Sequence, residues 1–298
     1  MVERDTVDTV TSRRKLLGAA GAAVASTLAG CGSVVQIDCE ETTDEQTIDA
    51  PADATLSVID ATDAIAFTAE RRDDIKVVTE KEAFGRVSPD ELTVDVKETA
   101  NRVEITTDKP TIIGFGGASV SLKLYAPEKM VVDQIQTTDG AVTARRVPDG
   151  ATLRTQDGSI QITDARGDVT AESSDGDISV DGTDGTLSAV TQDGSIQVRD
   201  PGRVGEISTR DGNVMTDIPA VADNAEVESS DGNLLLRIGE TLDTVLTADT
   251  ADGEILVSDV ASGLRIRNQT DSQLEALVGD GSTPLRAHTN DGDIMVQG

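Results

Sequence analysis

The sequence predicts an all-β protein, namely a parallel β-solenoid that is preceded by a β-rich capping region. Asp-Gly dipeptides recur every 18 residues through the middle of the chain, and apolar residues stand at alternate positions on both sides of them. Aromatic residues make up only 1% of the chain. The core must therefore consist of Val, Ile, Leu and Ala, and β-branched side chains suit narrow, pleated layers.

The Asp-Gly dipeptides define the repeat. They begin at residues 139, 157, 175, 193 and 211 and continue at 231, 252 and 291, with Asp271-Ser272 as a degenerate member, which predicts about nine rungs of 18–21 residues. We attribute the glycine to a positive φ, which Gly adopts at little cost. The predicted turn residues are Asp139, Gly140, Asp157, Gly158, Asp175, Gly176, Asp193, Gly194, Asp211, Gly212, Asp231, Gly232, Asp252, Gly253, Asp291 and Gly292.

The residues around each turn predict two short strands per repeat. Apolar pairs such as Ile160 and Ile162 follow the Asp, and pairs such as Ala151 and Leu153 precede it. Alternation of this kind indicates one buried face, and a fixed period favours stacked rungs over a meander of hairpins. Stacking places the Asp side chains in one exposed column. The hydroxyl residues two positions before each Asp are expected to form an outward polar ladder: Thr155, Ser173, Thr191, Thr209 and Ser229.

The repeat pattern loosens over residues 264–285. Leu264 and Ile266 stand one position off the apolar pattern, which predicts a shifted or bulged rung. Asn268 begins an Asn-Gln-Thr tripeptide and is a candidate N-glycosylation site.

Residues 53–130 form a different β-rich region, before the Asp-Gly solenoid of residues 131–298. Alternating segments there, such as residues 92–96 and 120–124, lack the 18-residue period and are expected to begin or cap the solenoid. The segment Gly114-Phe115-Gly116-Gly117 predicts a loop tip, because no Lys follows at P-loop spacing.

The N-terminus has the pattern of an export address. Arg13 and Arg14 form a twin-arginine motif, and the apolar stretch at 16–29 is too short and too weakly apolar for a stable transmembrane helix. The residues Leu28, Ala29, Gly30 and Cys31 match a lipobox, in which Cys31 would receive the lipid. We therefore expect a signal peptide over 1–30, a disordered acidic tether over 31–52, and an exported protein anchored by lipid to the outer face of the cell membrane.

The formal net charge of -30 excludes an ordinary nucleic-acid binder, which needs a positive surface. It indicates adaptation to high salt, where the Debye length falls to about 3 Å at 1 M and like charges are screened. The chain has one histidine, His288, and no Trp. We expect no catalytic residues, no metal site and no cofactor.

The residues also carry a family resemblance. An early Leu56-Ser57-Val58 strand, the segment Asp73-Asp74-Ile75-Lys76-Val77, the segment Leu122-Lys123-Leu124-Tyr125-Ala126-Pro127 and the Asp-Gly-x-apolar-x-apolar repeats follow in this order. The order resembles the putative-adhesin β-strand repeat family, a domain of exported and envelope proteins, over residues 53–298. The resemblance implies a β-solenoid and a surface role, and it carries over no catalytic or binding residues.

These observations favour a non-enzymatic, adhesin-like or scaffold protein that binds an unidentified envelope or extracellular partner, either a surface protein or a glycan. One alternative is a calcium-binding β-roll, because 18 residues equal two nonapeptides, although the Gly-Gly-x-Gly-x-Asp turns of that fold are missing from the sequence. A second alternative is a β-helical polysaccharide-active enzyme that uses a pair of its many carboxylates.

Overall fold

The computed structural model describes residues 39–50, 54–112, 114–148, 150–258 and 263–298. It contains a short 3-10 helix, Pro89–Glu91, and 25 strands. The first seven strands are β1 Cys39–Asp49, β2 Thr55–Ala61, β3 Ile65–Glu70, β4 Asp74–Gly85, β5 Thr93–Glu98, β6 Arg102–Asp108 and β7 Gly116–Pro127. The others are β8 Val131–Thr137, β9 Val142–Arg145, β10 Ala151–Arg154, β11 Ile160–Ala165, β12 Val169–Glu172, β13 Ile178–Thr183, β14 Thr186–Val190, β15 Ile196–Arg199, β16 Arg203–Thr209, β17 Val214–Ile218, β18 Val221–Ser229, β19 Leu234–Ile238, β20 Thr244–Thr250, β21 Ile255–Ser258, β22 Leu264–Gln269, β23 Gln273–Val278, β24 Thr283–Thr289 and β25 Ile294–Gln297.

The strands form two long sheets, which confirms the predicted all-β solenoid. One sheet has the order β1-β4-β7-β3-β9-β11-β13-β15-β17-β19-β25-β21, and the other has the order β22-β23-β20-β24-β18-β16-β14-β12-β10-β8-β2-β6-β5. Each rung places one strand in each sheet, and neighbouring rungs pair in parallel, as β11 does with β13. Inward-pointing side chains from both sheets fill the space between them.

The predicted apolar pairs form this core. Ile160, Ile162, Ala151 and Leu153 are all buried, and the equivalent residues of other rungs continue the same cluster. Burying one such Leu or Ile contributes about 1.5–3 kcal/mol. Because each rung covers its neighbour, the repeats stabilise one another and cannot be stable singly.

The rungs near the C-terminus do not stack in chain order, contrary to the sequence-based expectation. The last strand, β25, pairs on one side with β19 and on the other with β21. Likewise β24 lies between β18 and β20. The final segment of the chain is therefore inserted one rung inside the end of the solenoid. The inward residues of all rungs are similar aliphatic pairs, so their pattern specifies a rung without specifying its neighbours.

The rung predicted around Asp271 is also wrong. The β22 and β23 strands pair in an antiparallel hairpin, with a register shift between Ile266 and Asn268. Only β23 presents a buried face, through Leu274, Ala276 and Val278, while most of β22 is exposed. A single apolar face cannot supply both layers of a rung. The hairpin instead extends the 13-stranded sheet and ends it with a polar, Arg-containing edge.

The N-terminal region both begins and caps the solenoid. The β2 and β3 strands form a complete rung on which β8 and β9 stack. Beyond it, β6 and β7 form another parallel rung, after which the antiparallel strands β5, β4 and β1 complete the two sheets. The Asp-Gly pattern did not predict the β2/β3 rung, because the turn of this rung is Asp63-Ala64.

The disordered tether expected over 31–52 is wrong for residues 39–49. These residues form β1, which pairs with β4 along its whole length. Glu45 and Asp44 form ion pairs with Lys76 and Lys81 at 2.8 and 3.0 Å, and Ile48 is buried. The acidic composition suggested disorder, but β4 offers an unpaired edge and two lysines that this segment satisfies.

Candidate functional site: the Asp-Gly turn column

The predicted turns stack at one edge of the solenoid, where the chain crosses from the 13-stranded to the 12-stranded sheet. We call this stack the turn column. The backbone N–H of each turn Asp donates to the carbonyl that precedes the Asp of the neighbouring rung, for example from Asp175 to Gln156 and from Asp193 to Ser174. These distances are 2.8–3.0 Å. The turns therefore form a continuous column, and its Asp residues are exposed.

The glycines of the column serve a different purpose from the one expected. None of them has a positive φ. A Cβ on Gly158 would instead lie 2.0 Å from the carbonyl oxygen of Gly140, and a Cβ on Gly176 would lie 1.9 Å from that of Gly158. Real side chains do not approach a backbone so closely. Glycine is required because stacked turns leave no room for a side chain, and not because of its backbone dihedrals.

The hydroxyl residues two positions before each Asp point into the protein, so the expected outward ladder is wrong. Thr155, Ser173, Thr191, Thr209 and Ser229 are 0–8% exposed. Each hydroxyl donates to the turn Gly carbonyl of the neighbouring rung at 2.8–3.0 Å. Thr289 and Thr250 make the same bond in the last rungs, and Thr137 donates to the Asp63 carbonyl of the β2/β3 rung. We call this series the hydroxyl ladder.

Most members of the hydroxyl ladder also accept a hydrogen bond. The turn Gly N–H donates to the hydroxyl of its own rung at 2.9–3.3 Å in the rungs of Thr155, Ser173, Thr209, Ser229 and Thr250. One hydroxyl thus satisfies two buried peptide groups of adjacent turns, which would otherwise be costly. The ladder is part of the structural interior and is not a surface for ligands.

The sequence does contain the signal for this burial. Positions six, four and two before each Asp lie on the same face of a strand, because side chains alternate. Ala151 and Leu153 were assigned inward, and Thr155 follows them with the same parity. The polar nature of the residue obscured a pattern that was already present.

A second series of side chains runs along the exposed side of the turn column. In five of the rungs, the side chain of the residue after the turn Gly accepts the backbone N–H of its counterpart in the neighbouring rung. Asp177 accepts from Ser195 at 2.8 Å, and Asn213 accepts from Asn233 at 2.9 Å. Asn233 and Asp293 continue the series toward the end of the solenoid. This bonding explains why Ser, Asp or Asn usually follows the Asp-Gly dipeptide.

The described carboxylates do not assemble into a metal centre. Within the described ranges, no group of three or more His, Cys, Asp or Glu side chains could hold a metal ion. His288 lies on the outer face of β24. Its Nδ1 lies 2.6 Å from Asp249 Oδ2 and its Nε2 lies 3.2 Å from Asn290 Oδ1. Each ring nitrogen therefore lies within hydrogen-bond distance of an acceptor oxygen, and neither is hydrogen-bonded to a nucleophilic side chain.

A groove of about 590 Å³ lies at the opposite edge of the solenoid, near its N-terminal end. Arg71, Arg72 and Lys129 line it together with acidic neighbours. Arg72 is already bound to Glu70 at 2.9 Å and to Asp74 at 2.8 Å. The groove therefore has mixed charge and offers no clear selection for one class of ligand.

The predicted export residues Arg13, Arg14, Leu28, Ala29, Gly30 and Cys31 lie outside the described residues. Asn268 is exposed on β22 at the edge of the 13-stranded sheet. In the part of the chain that the structure describes, no helix has the length and apolarity needed to cross a membrane.

Comparison with known families identifies the class of this fold. The model of the Toastrack DUF4097 family matches residues 55–297, so the chain belongs to that family. No curated protein gave a significant match.

Three solved structures also match this chain, at low sequence identity. A putative cell adhesion protein from Clostridium sporogenes is 10% identical with a TM-score of 0.27, covering 87% of this chain and 99% of its own. A putative adhesin from Bacteroides fragilis is 10% identical with a TM-score of 0.39, covering 86% and 97%. A putative lipid binding protein from Parabacteroides distasonis is 13% identical with a TM-score of 0.48, covering 86% and 96%.

Proposed function

We propose that this protein is an exported, lipid-anchored surface scaffold with an adhesin-like role and no enzymatic activity. The observation that carries the proposal is the use made of the repeated residues. The turn glycines, the hydroxyl ladder and the residues after each Gly all bond neighbouring rungs together. Repetition of these residues therefore builds a rigid body, and it does not multiply a catalytic or metal-binding group.

The shape of the body suits contact with an extended partner. Ten rungs, at about 4.8 Å per strand, give a rod about 45 Å long. Outward residues such as Gln161, Ser179 and Gln197 stand in register on successive strands and form the polar part of a flat face. The same row continues with apolar residues toward the other end of the sheet: Met215, Leu235, Met295 and Leu256. Solenoids use such faces to bind proteins or glycans, which are the partner classes we assign to this surface.

The N-terminal pattern supports the location. Arg13 and Arg14 supply the twin-arginine motif, and Leu28-Ala29-Gly30 precede Cys31 at the predicted lipidation site. The net charge of -30, together with the exposed Asp residues of the turn column, supports a cell that lives in high salt, where such charges are screened.

Cell fractionation tests the proposal. We expect the full-length protein in the membrane fraction, and release of the Cys31→Ser variant into the soluble or secreted fraction. Cys39→Ser is the matched control, because Cys39 is an exposed free thiol in β1, and its variant should remain in the membrane fraction. Replacement of Arg13 and Arg14 by Lys should retain the protein inside the cell. Membrane retention of the Cys31→Ser variant at the wild-type level would contradict lipid anchoring.

A further inference from the structure

An arm extends from the N-terminal end of the solenoid, past the turn column. It consists of residues 39–43 of β1, 80–85 of β4 and 116–121 of β7, which pair as an antiparallel sheet. The rung proper begins at Leu122, which pairs with Ile65. The Val120 N–H donates to Asp63 of the first turn, so only residues 116–119 of β7, at about 3.4 Å each, extend beyond the column, by about 14 Å.

The end of the arm, which we call the tip, presents an aromatic ring to solvent. Phe115 is 65% exposed, and its ring centroid lies 5.9 Å from that of Phe84 in an edge-to-face arrangement. Gly85 has a φ of 84°, and a Cβ there would lie 2.6 Å from the Phe115 carbonyl oxygen. The backbone is thus closely packed beneath an exposed ring.

The exposure of Phe115 is unusual for this chain, which has only three Phe, one Tyr and no Trp. Phe115 and its neighbour Phe84 form a small aromatic patch, and aromatic residues are enriched at contacts with a partner and at the membrane interface. The path of the chain indicates which of these two partners the tip contacts.

The chain enters the fold at the tip. The first residue of β1, Cys39, pairs with Phe84. Only residues 32–38 separate Cys39 from the predicted lipidation site, Cys31. At 3.3–3.6 Å per residue, this segment reaches at most about 28 Å. The other end of the 12-stranded sheet, at β21, lies about 50 Å away across the strands. A lipid on Cys31 therefore holds the tip, and not the far end, next to the membrane.

We propose that the tip contacts the lipid surface that holds the anchor, with the Phe115 ring inserted among the headgroups. This inference rests on the proposed lipidation of Cys31. Phe on a protein surface partitions into the membrane interface, and a second apolar contact strengthens the hold of a lipid anchor. The contact also sets the orientation of the rod.

This orientation is compatible with the acidic turn column. The column stays about 14 Å from the lipid surface, because the arm separates the two. That distance exceeds the Debye length of about 8 Å at physiological ionic strength. Repulsion between the column and anionic lipids is consequently screened at the distance that the arm imposes.

The absence of Trp from the chain allows a direct test. The chain from Cys31 onward, which keeps every described residue, is prepared with Cys39→Ser and with Phe115→Trp, which supplies its sole tryptophan. Cys31 is coupled to a maleimide lipid in phosphatidylcholine vesicles that contain brominated acyl chains. The matched control carries Leu256→Trp instead, because Leu256 is 47% exposed on β21 at the far end. Circular dichroism verifies that both variants are folded.

We expect the brominated lipid to quench most of the tryptophan emission of the Phe115→Trp variant and to shift the remainder to the blue. The emission of the Leu256→Trp variant should be unaffected. Equal emission from the two variants would overturn the inference and would favour a protein partner for the tip.

The fractionation experiment and the quenching experiment test different claims, because the chemical coupling supplies the anchor and does not depend on processing in the cell. Soluble wild-type protein in the fractionation experiment would refute the proposed lipidation. Unquenched emission from the Phe115→Trp variant would instead refute the contact between the tip and the lipid surface.

Discussion

The hydroxyl ladder makes a quantitative prediction at Thr209. Its hydroxyl donates to the Gly194 carbonyl at 2.8 Å and accepts the Gly212 N–H at 3.3 Å. Thr209 is 3% exposed, so water cannot replace these bonds. Thr209→Val preserves the shape and removes the hydroxyl.

The expected cost follows from the two peptide groups that lose their partner. A buried donor or acceptor left without a hydrogen bond costs about 1–3 kcal/mol. With one carbonyl and one N–H affected, Thr209→Val should lower the free energy of unfolding by about 2–6 kcal/mol. Thr209→Ser keeps the hydroxyl and loses only a methyl group, which costs about 1 kcal/mol.

Urea unfolding in molar KCl, followed by circular dichroism, measures the difference as a shift of the midpoint. Thr170→Val is the control, because Thr170 lies on the outer face of β12 and is half-buried; surface changes of this kind stay within about 0.5 kcal/mol. If Thr209→Val unfolds at the same midpoint as Thr170→Val, the ladder contributes no stability and the reasoning is wrong.

Three further predictions concern the stacking of the rungs. Gly194→Ala should destabilise by roughly 3 kcal/mol or more in the same assay, since its Cβ would lie 2.1 Å from the Gly176 carbonyl oxygen, whereas Asp193→Ala at the exposed neighbouring position should be nearly neutral. Truncation after Gly281 removes the rung that lies between β19 and β21; limited proteolysis should show a widely unfolded C-terminal half, and a merely shortened stable solenoid would disprove the inserted order. The Asp243 carboxylate accepts the Ser282 N–H at 3.0 Å, which holds the pKa of Asp243 below its ordinary 3.8. This group therefore stabilises the fold above that pH and loses its contribution as the pH falls through the folded-state pKa, so Asp243→Asn should flatten the acid limb of a stability-against-pH curve.

Much of the fold was present in the sequence because the solenoid is locally encoded. The residues that flank each Asp-Gly dipeptide alternate strictly, so Ile160 and Leu153 could be assigned to the core with no knowledge of neighbouring strands. The position of the glycines was also evident, although their reason was not. Close approach of Gly158 to Gly140 is a property of two stacked turns, and one turn in isolation does not show it.

The order of rungs could not be predicted for a related reason. Leu234, Ile255 and Ile294 are interchangeable as inward residues, so each could follow any other. The β20 strand pairs with β23 on one side and with β24 on the other, and the local apolar pattern does not encode this choice of partners. The strand β1 was not predicted, because the acidic composition of residues 39–49 is typical of a disordered segment. Its order depends on pairing with β4, which the sequence of β1 does not show.

The candidate surface site was likewise only partly predictable from the sequence. The exposed Asp column was evident from the period, and the loop at Gly114-Phe115-Gly116-Gly117 was recognised as a tip. Its distance from the column and its connection through β4 to the first residue of β1 depend on strand lengths that the structure defines. Those lengths connect the tip to the anchor.

Mass spectrometry of the N-terminal peptide of protein extracted from cell membranes tests the central functional claim most directly. Lipid anchoring predicts a chain that starts at Cys31 and carries the added mass of lipid on that residue. A chain that retains residues 1–30, or one that begins elsewhere with an unmodified Cys31, would contradict lipid anchoring and the surface role that depends on it.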